Sequence, residues 1–180
     1  MKEKSRLTPI NRRRERLVEW ANDTQWGERL ARWIGKAVGG LQLRWMISAP
    51  GAPAWAPLRR PIAGATVALV TTGGVHLCAD TPFNLSTDAS FRTIPRTAQA
   101  ADLCLTHEHY DRRDAARDLN LVFPLERLRE LETAGIIGRV ADVHYGFGFT
   151  KNPAELVTPA REVGRRLAQA QVDLALLVPA

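Results

Sequence analysis

Three of the four histidines of this chain lie in short polar segments where an imidazole could hold a metal, orient a substrate or move a proton. The sharpest pattern is His107-x-His109-x-Asp111, with Tyr110 inside it and Asp114 just beyond. Imidazoles at such spacing can ligate a divalent cation, and an aspartate can serve a second metal or orient a ring. The bland alternative is a loop in which His107 and His109 bond to Asp111 or Asp114 and do no chemistry. His76 closes the run Gly73-Gly74-Val75-His76. Paired glycines can approach a phosphate, yet G-x-G-x-x-G and the P-loop lysine are missing, so a tight turn is the preferred reading. His144 lies in a Gly- and aromatic-rich stretch further on. Cys78 and Cys104 are the two cysteines and have no C-x-x-C spacing. That argues against a disulfide framework and against a zinc ribbon, and each is expected to fill a small buried space. Asp80, Asp88 and Asp102 read as caps and turn acceptors.

These groups need elements to position them. Thr66–Thr71 (TVALVT) is a short β-branched apolar run entering Gly73–Gly74, as expected of a buried strand. Ala101–Thr106 (ADLCLT) reads as a second buried strand leading into His107, and Val172–Val178 (VDLALLV) as a third. Residues 78–99 are polar and turn-rich, and 136–150 read as a short strand or loop. Pro124–Ala134 reads as a helix with Leu125, Leu128 and Leu131 on one face, closed by Gly135. Asn152–Pro153 starts another, with Leu156, Val157, Ala160, Val163 and Leu167 on its apolar side. Strands alternating with helices predict an α/β fold with a mainly parallel sheet, Rossmann-like, covered on both faces. The carboxyl ends of its strands would then place Gly73–His76, Thr106–Asp111 and Pro179–Ala180 on one ligand-binding rim.

The rest of the chain has a different character. Residues 1–60 carry 13 Lys/Arg against 5 Asp/Glu and all five tryptophans, a balance of +8, whereas the remainder balances at −2. Spacings near three, four and seven among Leu17, Trp20, Leu30, Trp33, Ile34 and Ala37 predict helix over 10–46. The expected organisation is a basic, Trp-rich helical segment over 1–48, a proline-rich linker over 49–61 and an α/β domain over 62–180. Arg12–Arg13–Arg14 is read as a solvated helix face whose tryptophans dock a partner, in preference to a nucleic-acid contact. No apolar run is long enough to span a bilayer and no secretory signal precedes the domain, so a cytoplasmic location is expected.

The histidine loop resembles the H-x-H-x-D-H element that opens a metallo-β-lactamase-type metal site. Arg112 stands where that element needs a further ligand, and His144 is the only histidine downstream. A metal-dependent hydrolase on His107, His109 and Asp111 is therefore kept as an alternative, as is a non-catalytic interaction module built on the N-terminal segment.

From Trp55 to Val178 a wider likeness emerges. TTGGVHL, then the H-x-H-Y-D block running through Asn120, Val122, Phe123 and Pro124, and the helix VFPLERLREL resemble the selenoprotein B family of glycine, sarcosine, betaine and D-proline reductases, as do GIIGRVADVHYGFGFT and VDLALLVPA. The resemblance implies an oxidoreductase subunit that cleaves a carbon–nitrogen bond reductively. A selenocysteine or cysteine expected just after Ala180 would be the nucleophile, with no other cofactor in this chain. It further implies a carbonyl-bearing partner subunit holding a small-molecule amine as a Schiff base, and a thioredoxin-like electron donor. A chalcogen anion suits that role because it is nucleophilic at neutral pH and a thiol can resolve the bond it forms. His76, His107, His109 and Asp111 would line the site, and the chain is expected to be a reading ended early at a UGA codon, inactive by itself. The oligomeric state is left open, a homo-oligomer being one arrangement.

Overall fold

The computed structural model describes residues 56–108 and 110–179. The chain divides into two units, Met1–Trp55 and Ala56–Ala180. The helical reading of 10–46, residues 49–55 of the linker, His109 and Ala180 lie outside the described residues.

TVALVT forms strand β1 (Thr66–Thr71), buried along almost its whole length. It is the spine of the sheet. On one edge β7 (Leu174–Val178) pairs with it in parallel, from Val67↔Leu174 to Thr71↔Val178. The other edge is shared by β5 (Arg139–Val140) and β6 (Val143–Phe147), both parallel to β1. Between the pairs Val67↔Val140 and Val70↔Tyr145, β1 contributes Ala68 and Leu69 while its partner contributes Ala141 to His144. This excess bulges the partner strand, and a bulge leaves ladder groups without their usual mates. The backbone N–H of Leu69 is met instead by the Nδ1 atom of His144 at 3.0 Å.

The sheet is mixed, not mainly parallel as expected. β3 (Phe91–Pro95) runs antiparallel outside β6, from Phe91↔Phe147 to Pro95↔Val143. It falls in the segment expected to be turns, because an edge strand needs few buried residues: only Ile94 is buried, and Pro95 closes the strand where a central position would be barred to it. LCL of the expected second strand is β4 (Leu103–Leu105), and it does not join the main sheet. It pairs antiparallel with β2 (Val75–Leu77) in a separate ribbon. β7 is not buried either. Leu174, Leu176 and Leu177 are 37%, 40% and 69% exposed, so an apolar run that reads as a central strand stands in solvent on both faces.

Both faces of β1 are nevertheless covered at their centre. Val67 and Leu69 pack with Leu125 and Leu128 of helix α2 (Leu125–Thr133) and with Phe123, Ile94 and Val140. Val70, on the opposite face, packs with Tyr145, Phe147 and Val163 of helix α3 (Val157–Gln169). The odd and even residues of one strand thus feed two separate cores, as a pleated strand requires. α2 begins after Pro124 and its buried residues are the predicted leucines, while α3 follows a short 3-10 turn whose entry Asn152 caps by accepting from Ala154 N–H at 3.2 Å. A five-residue helix, α1 (Arg113–Arg117), follows the histidine loop and buries only Ala115. Glu132 ties α2 to the sheet, accepting from Val140 N–H at 3.1 Å and from Arg96 at 2.8 Å. At the opposite end of β1, Asp173 accepts from Thr66 N–H at 2.9 Å and pairs with Arg60 at 3.2 Å. Among the described residues no helix is long and apolar enough to cross a membrane.

Candidate functional site

β1 ends in the turn Thr72–Gly74, and four segments are stitched to it. Thr72 N–H donates to Val178 O at the end of β7 (3.2 Å), and Gly74 N–H donates to Phe147 O at the end of β6 (3.1 Å). Thr106 N–H donates to Gly74 O (2.9 Å), and the Tyr110 hydroxyl donates to Gly73 O (3.0 Å). Gly74 has φ +73°, and a methyl built on it would lie 2.1 Å from the Thr106 carbonyl oxygen and 3.2 Å from His107 Cβ. A side chain is barred there on both counts. Gly146 plays the same part on β6, where a methyl would meet Val75 O at 1.9 Å and push the β2–β4 ribbon off the sheet. The carboxyl ends of β1, β6 and β7 therefore meet the histidine loop on one rim, although the strand before that loop belongs to a different sheet from the one expected.

His76 is buried on β2, 2% exposed, and both ring nitrogens are engaged. Nδ1 lies 2.7 Å from Leu77 O, which can only accept, so Nδ1 carries the proton. In the neutral ring Nε2 then accepts from the Thr106 hydroxyl at 2.9 Å. The edge of Phe83 closes over it at 5.6 Å. His107 follows Thr106 directly and is also buried, enclosed by Tyr110 at 4.7 Å and Phe149 at 5.6 Å between ring centroids. Burial raises the pKa of the Tyr110 phenol above its ordinary value, with nearby Arg112 acting weakly in the opposite sense, which keeps it a neutral donor to Gly73. His76 thus bonds to the side chain of the residue that directly precedes His107.

Asp111 is engaged by Arg113 of α1. Its carboxylate takes a two-point bond from the Arg113 guanidinium, at 3.0 Å from Nε to Oδ1 and 2.6 Å from Nη to Oδ2, and also accepts from Arg113 N–H. Those hydrogen bonds hold its pKa below the usual carboxylate value. Asp114 pairs with Arg117 at 3.4 Å. Asp111 and Asp114 are thus both matched with arginines of α1. Among the described residues no three His, Cys, Asp or Glu side chains gather as a metal-binding group.

One of these expectations is corrected. Cys78 and Cys104 do not fill separate buried spaces: they form a disulfide, Cα to Cα 4.9 Å, across the β2–β4 ribbon, with Cys78 exposed. Linear spacing carries no information about which residues an antiparallel ribbon will bring side by side. His144 lies on β6. It is fully buried inside the sheet, where burial, then Arg129 and Arg96, push its pKa down to about 4 against a smaller upward pull from Asp142. Sequence reasoning also missed the aromatic enclosure by Phe83 and Phe149, because both lie in segments without an apolar period. Asp88 and Asp102 act as read: Asp88 accepts from Asn84 and Ser90 N–H, and Asp102 from Gln99 N–H.

Fold and rim together define a mixed α/β domain that presents two buried imidazoles where a two-stranded ribbon meets the carboxyl ends of a sheet. The sequence model of the glycine/sarcosine/betaine reductase selenoprotein B family matches residues 53–180, and the chain belongs to that family. D-proline reductase subunit gamma of Acetoanaerobium sticklandii is 38% identical over 144 residues, covering 78% of this chain and 59% of that protein. Sarcosine reductase complex component B subunit beta of Peptoclostridium acidaminophilum is 33% identical over 92 residues, 48% of this chain and 21% of that one. Betaine reductase complex component B subunit beta of the same organism is 32% identical over 127 residues, 66% and 28% of the two chains. The chain thus spans about three fifths of the first of these relatives and less than a third of the other two. No solved structure matches it significantly.

Proposed function

We propose that the chain is part of a reductase-complex subunit that cleaves a carbon–nitrogen bond reductively, with a selenol or thiol supplied by residues that follow Ala180. The main support is the family match, which runs up to β7, the strand whose carboxyl end is bonded to the turn carrying Gly73 and Gly74. A nucleophile placed just beyond β7 would arrive at the rim where His76, Thr106 and His107 meet. The substrate in this reading is a small amine held as a Schiff base by a carbonyl-bearing partner subunit, with electrons from a thioredoxin-like donor. The relatives are named as subunits of reductases, which supports a partner subunit of some kind.

Within this scheme His76 and His107 orient the substrate or pass a proton at the leaving nitrogen, and the Thr106 hydroxyl fixes the His76 ring. Asp111, paired with Arg113, and His109 are retained as site residues on their place in the motif. Phe83, Phe149 and Tyr110 exclude water from the two rings.

Reading the coding frame past codon 180 is the first test, with a UGA or cysteine codon and a continuing open frame expected. A terminator followed by no coding sequence would remove the nucleophile from the proposal. The second is reconstitution of the extended subunit with a carbonyl-bearing partner, where His76→Ala and His107→Ala are each expected to lower amine-dependent thiol oxidation by about 100-fold or more. Retention of full turnover in both variants would refute the assigned roles.

A further inference from the structure

The ribbon that carries His76 is three residue pairs long, from Val75↔Leu105 to Leu77↔Leu103. Beyond them Cys78 N–H donates to Asp102 O at 2.8 Å. Two-stranded ribbons of this size have little stability of their own. Their closing bond here is covalent, and it uses the only two cysteines of the chain. Cys104 stands directly opposite His76, and Cys78 follows Leu77, whose carbonyl holds the His76 Nδ1 proton. Neither cysteine belongs to either hydrophobic cluster. The two sulfurs are unequal, since Cys78 is exposed and Cys104 half-buried. A bridge with one open end can be approached by an external thiolate, and access is a first requirement for exchange.

We propose that Cys78–Cys104 is a thiol–disulfide exchange site that takes two electrons from an external dithiol, and that its state sets how firmly the ribbon holds His76 against Thr106. The donor's thiolate attacks the Cys78 sulfur, forming a mixed disulfide, and Cys104 leaves as a thiolate that takes up a proton. The donor's second thiol then attacks the donor sulfur of the mixed bond. That step expels Cys78 as a thiolate, which is protonated, and releases the donor as its own disulfide. Two electrons and two protons pass from donor to chain. With the bridge open, the ribbon keeps its backbone bonds but loses its clamp next to the ring.

This inference stands apart from the reductase reading, because its test needs neither substrate nor partner. The full 180-residue chain is treated without denaturant, first with oxidised glutathione and then with dithiothreitol. Alkylatable thiols are expected to rise from none to the full two per chain and to fall again on reoxidation. The ring-proton resonances of His76, identified by their loss in His76→Gln, are expected to shift between the two forms. In single variants, glutathione disulfide is expected to modify the cysteine left by Cys104→Ser faster than the one left by Cys78→Ser. Thiols that appear only in denaturant, or His76 resonances that coincide in both forms, would overturn the proposal. The central comparison uses the unaltered chain, so it does not hang on the folding of a variant.

Discussion

Acid should weaken this fold through His144 before the carboxylates are protonated. The ring is fully buried at the bulge between β5 and β6, its Nδ1 accepts from Leu69 N–H, and its pKa lies near 4 instead of 6.5. Acceptance at Nδ1 requires the neutral ring, with its proton on Nε2; that atom has no hydrogen-bond partner among the described residues, and the Phe123 ring lies 6.0 Å away, centroid to centroid. Arg129 and Arg96 oppose a second positive charge and Asp142 favours it only weakly. An unfolded chain takes up a proton on this residue near pH 6.5 while the folded one resists until about 4. Stability from the neutral ring is therefore complete above about 6.5 and is lost as pH falls toward 4, by about 2 kcal/mol at pH 5 and about 3 kcal/mol at pH 4. Urea unfolding at pH 7, 5 and 4 measures the loss. His144→Asn keeps an acceptor at the δ position for Leu69 and cannot titrate, so the gap between it and the wild type should narrow or invert by that amount on acidification. Other groups titrate alike in both proteins and cancel. Parallel curves for the two proteins from pH 7 to 4 would refute the reasoning.

Further outcomes follow from the rim and the sheet. Gly74→Ala forces a methyl into the Thr106 carbonyl at positive φ and should cost at least about 2 kcal/mol in chemical denaturation; an unchanged midpoint would contradict the close packing of turn and loop. Tyr110→Phe removes the bond to Gly73 O and should cost about 1 kcal/mol by the same assay, leaving the secondary-structure signal intact. Glu132→Ala strips Val140 N–H and Arg96 of a shared acceptor and should cost about 1–3 kcal/mol, mostly at low salt if the arginine dominates. Leu177→Lys, at a position 69% exposed, should alter stability by less than about 0.5 kcal/mol while lowering the binding of a hydrophobic dye to β7.

What could be read from residue order was whatever has a strong apolar period. TVALVT is β1, the leucines of 125–131 are the buried face of α2, and Val163 and Leu167 face the second core from α3. The glycine turn and the histidine loop also proved to be neighbours, because both follow strands whose ends lie on one rim. Other features were hidden for physical reasons. Phe91–Pro95 buries a single side chain, so it has no pattern to betray a strand. Leu103–Leu105 looks like a core strand, yet only its antiparallel pairing with β2 explains why its residues are half-buried. VDLALLV looks central and stands at an edge, since hydrophobicity does not say how many neighbours a strand will find. Nothing in the residue order marks the role of His144, because only the bulge shows that its ring replaces a missing backbone acceptor.

The position of β1 has a consequence for how the chain reaches this state. Its edges are claimed by strands beginning at residues 139 and 174, and its first amide bonds to Asp173, 107 positions away. Closing such long loops delays the reward that offsets their entropy, so high contact order predicts slow folding. A nascent chain released only as far as α2 would carry β1, a largely buried strand, with neither lateral mate available. Chaperone dependence and sensitivity to translation pauses before residue 174 would follow from sheet connectivity itself.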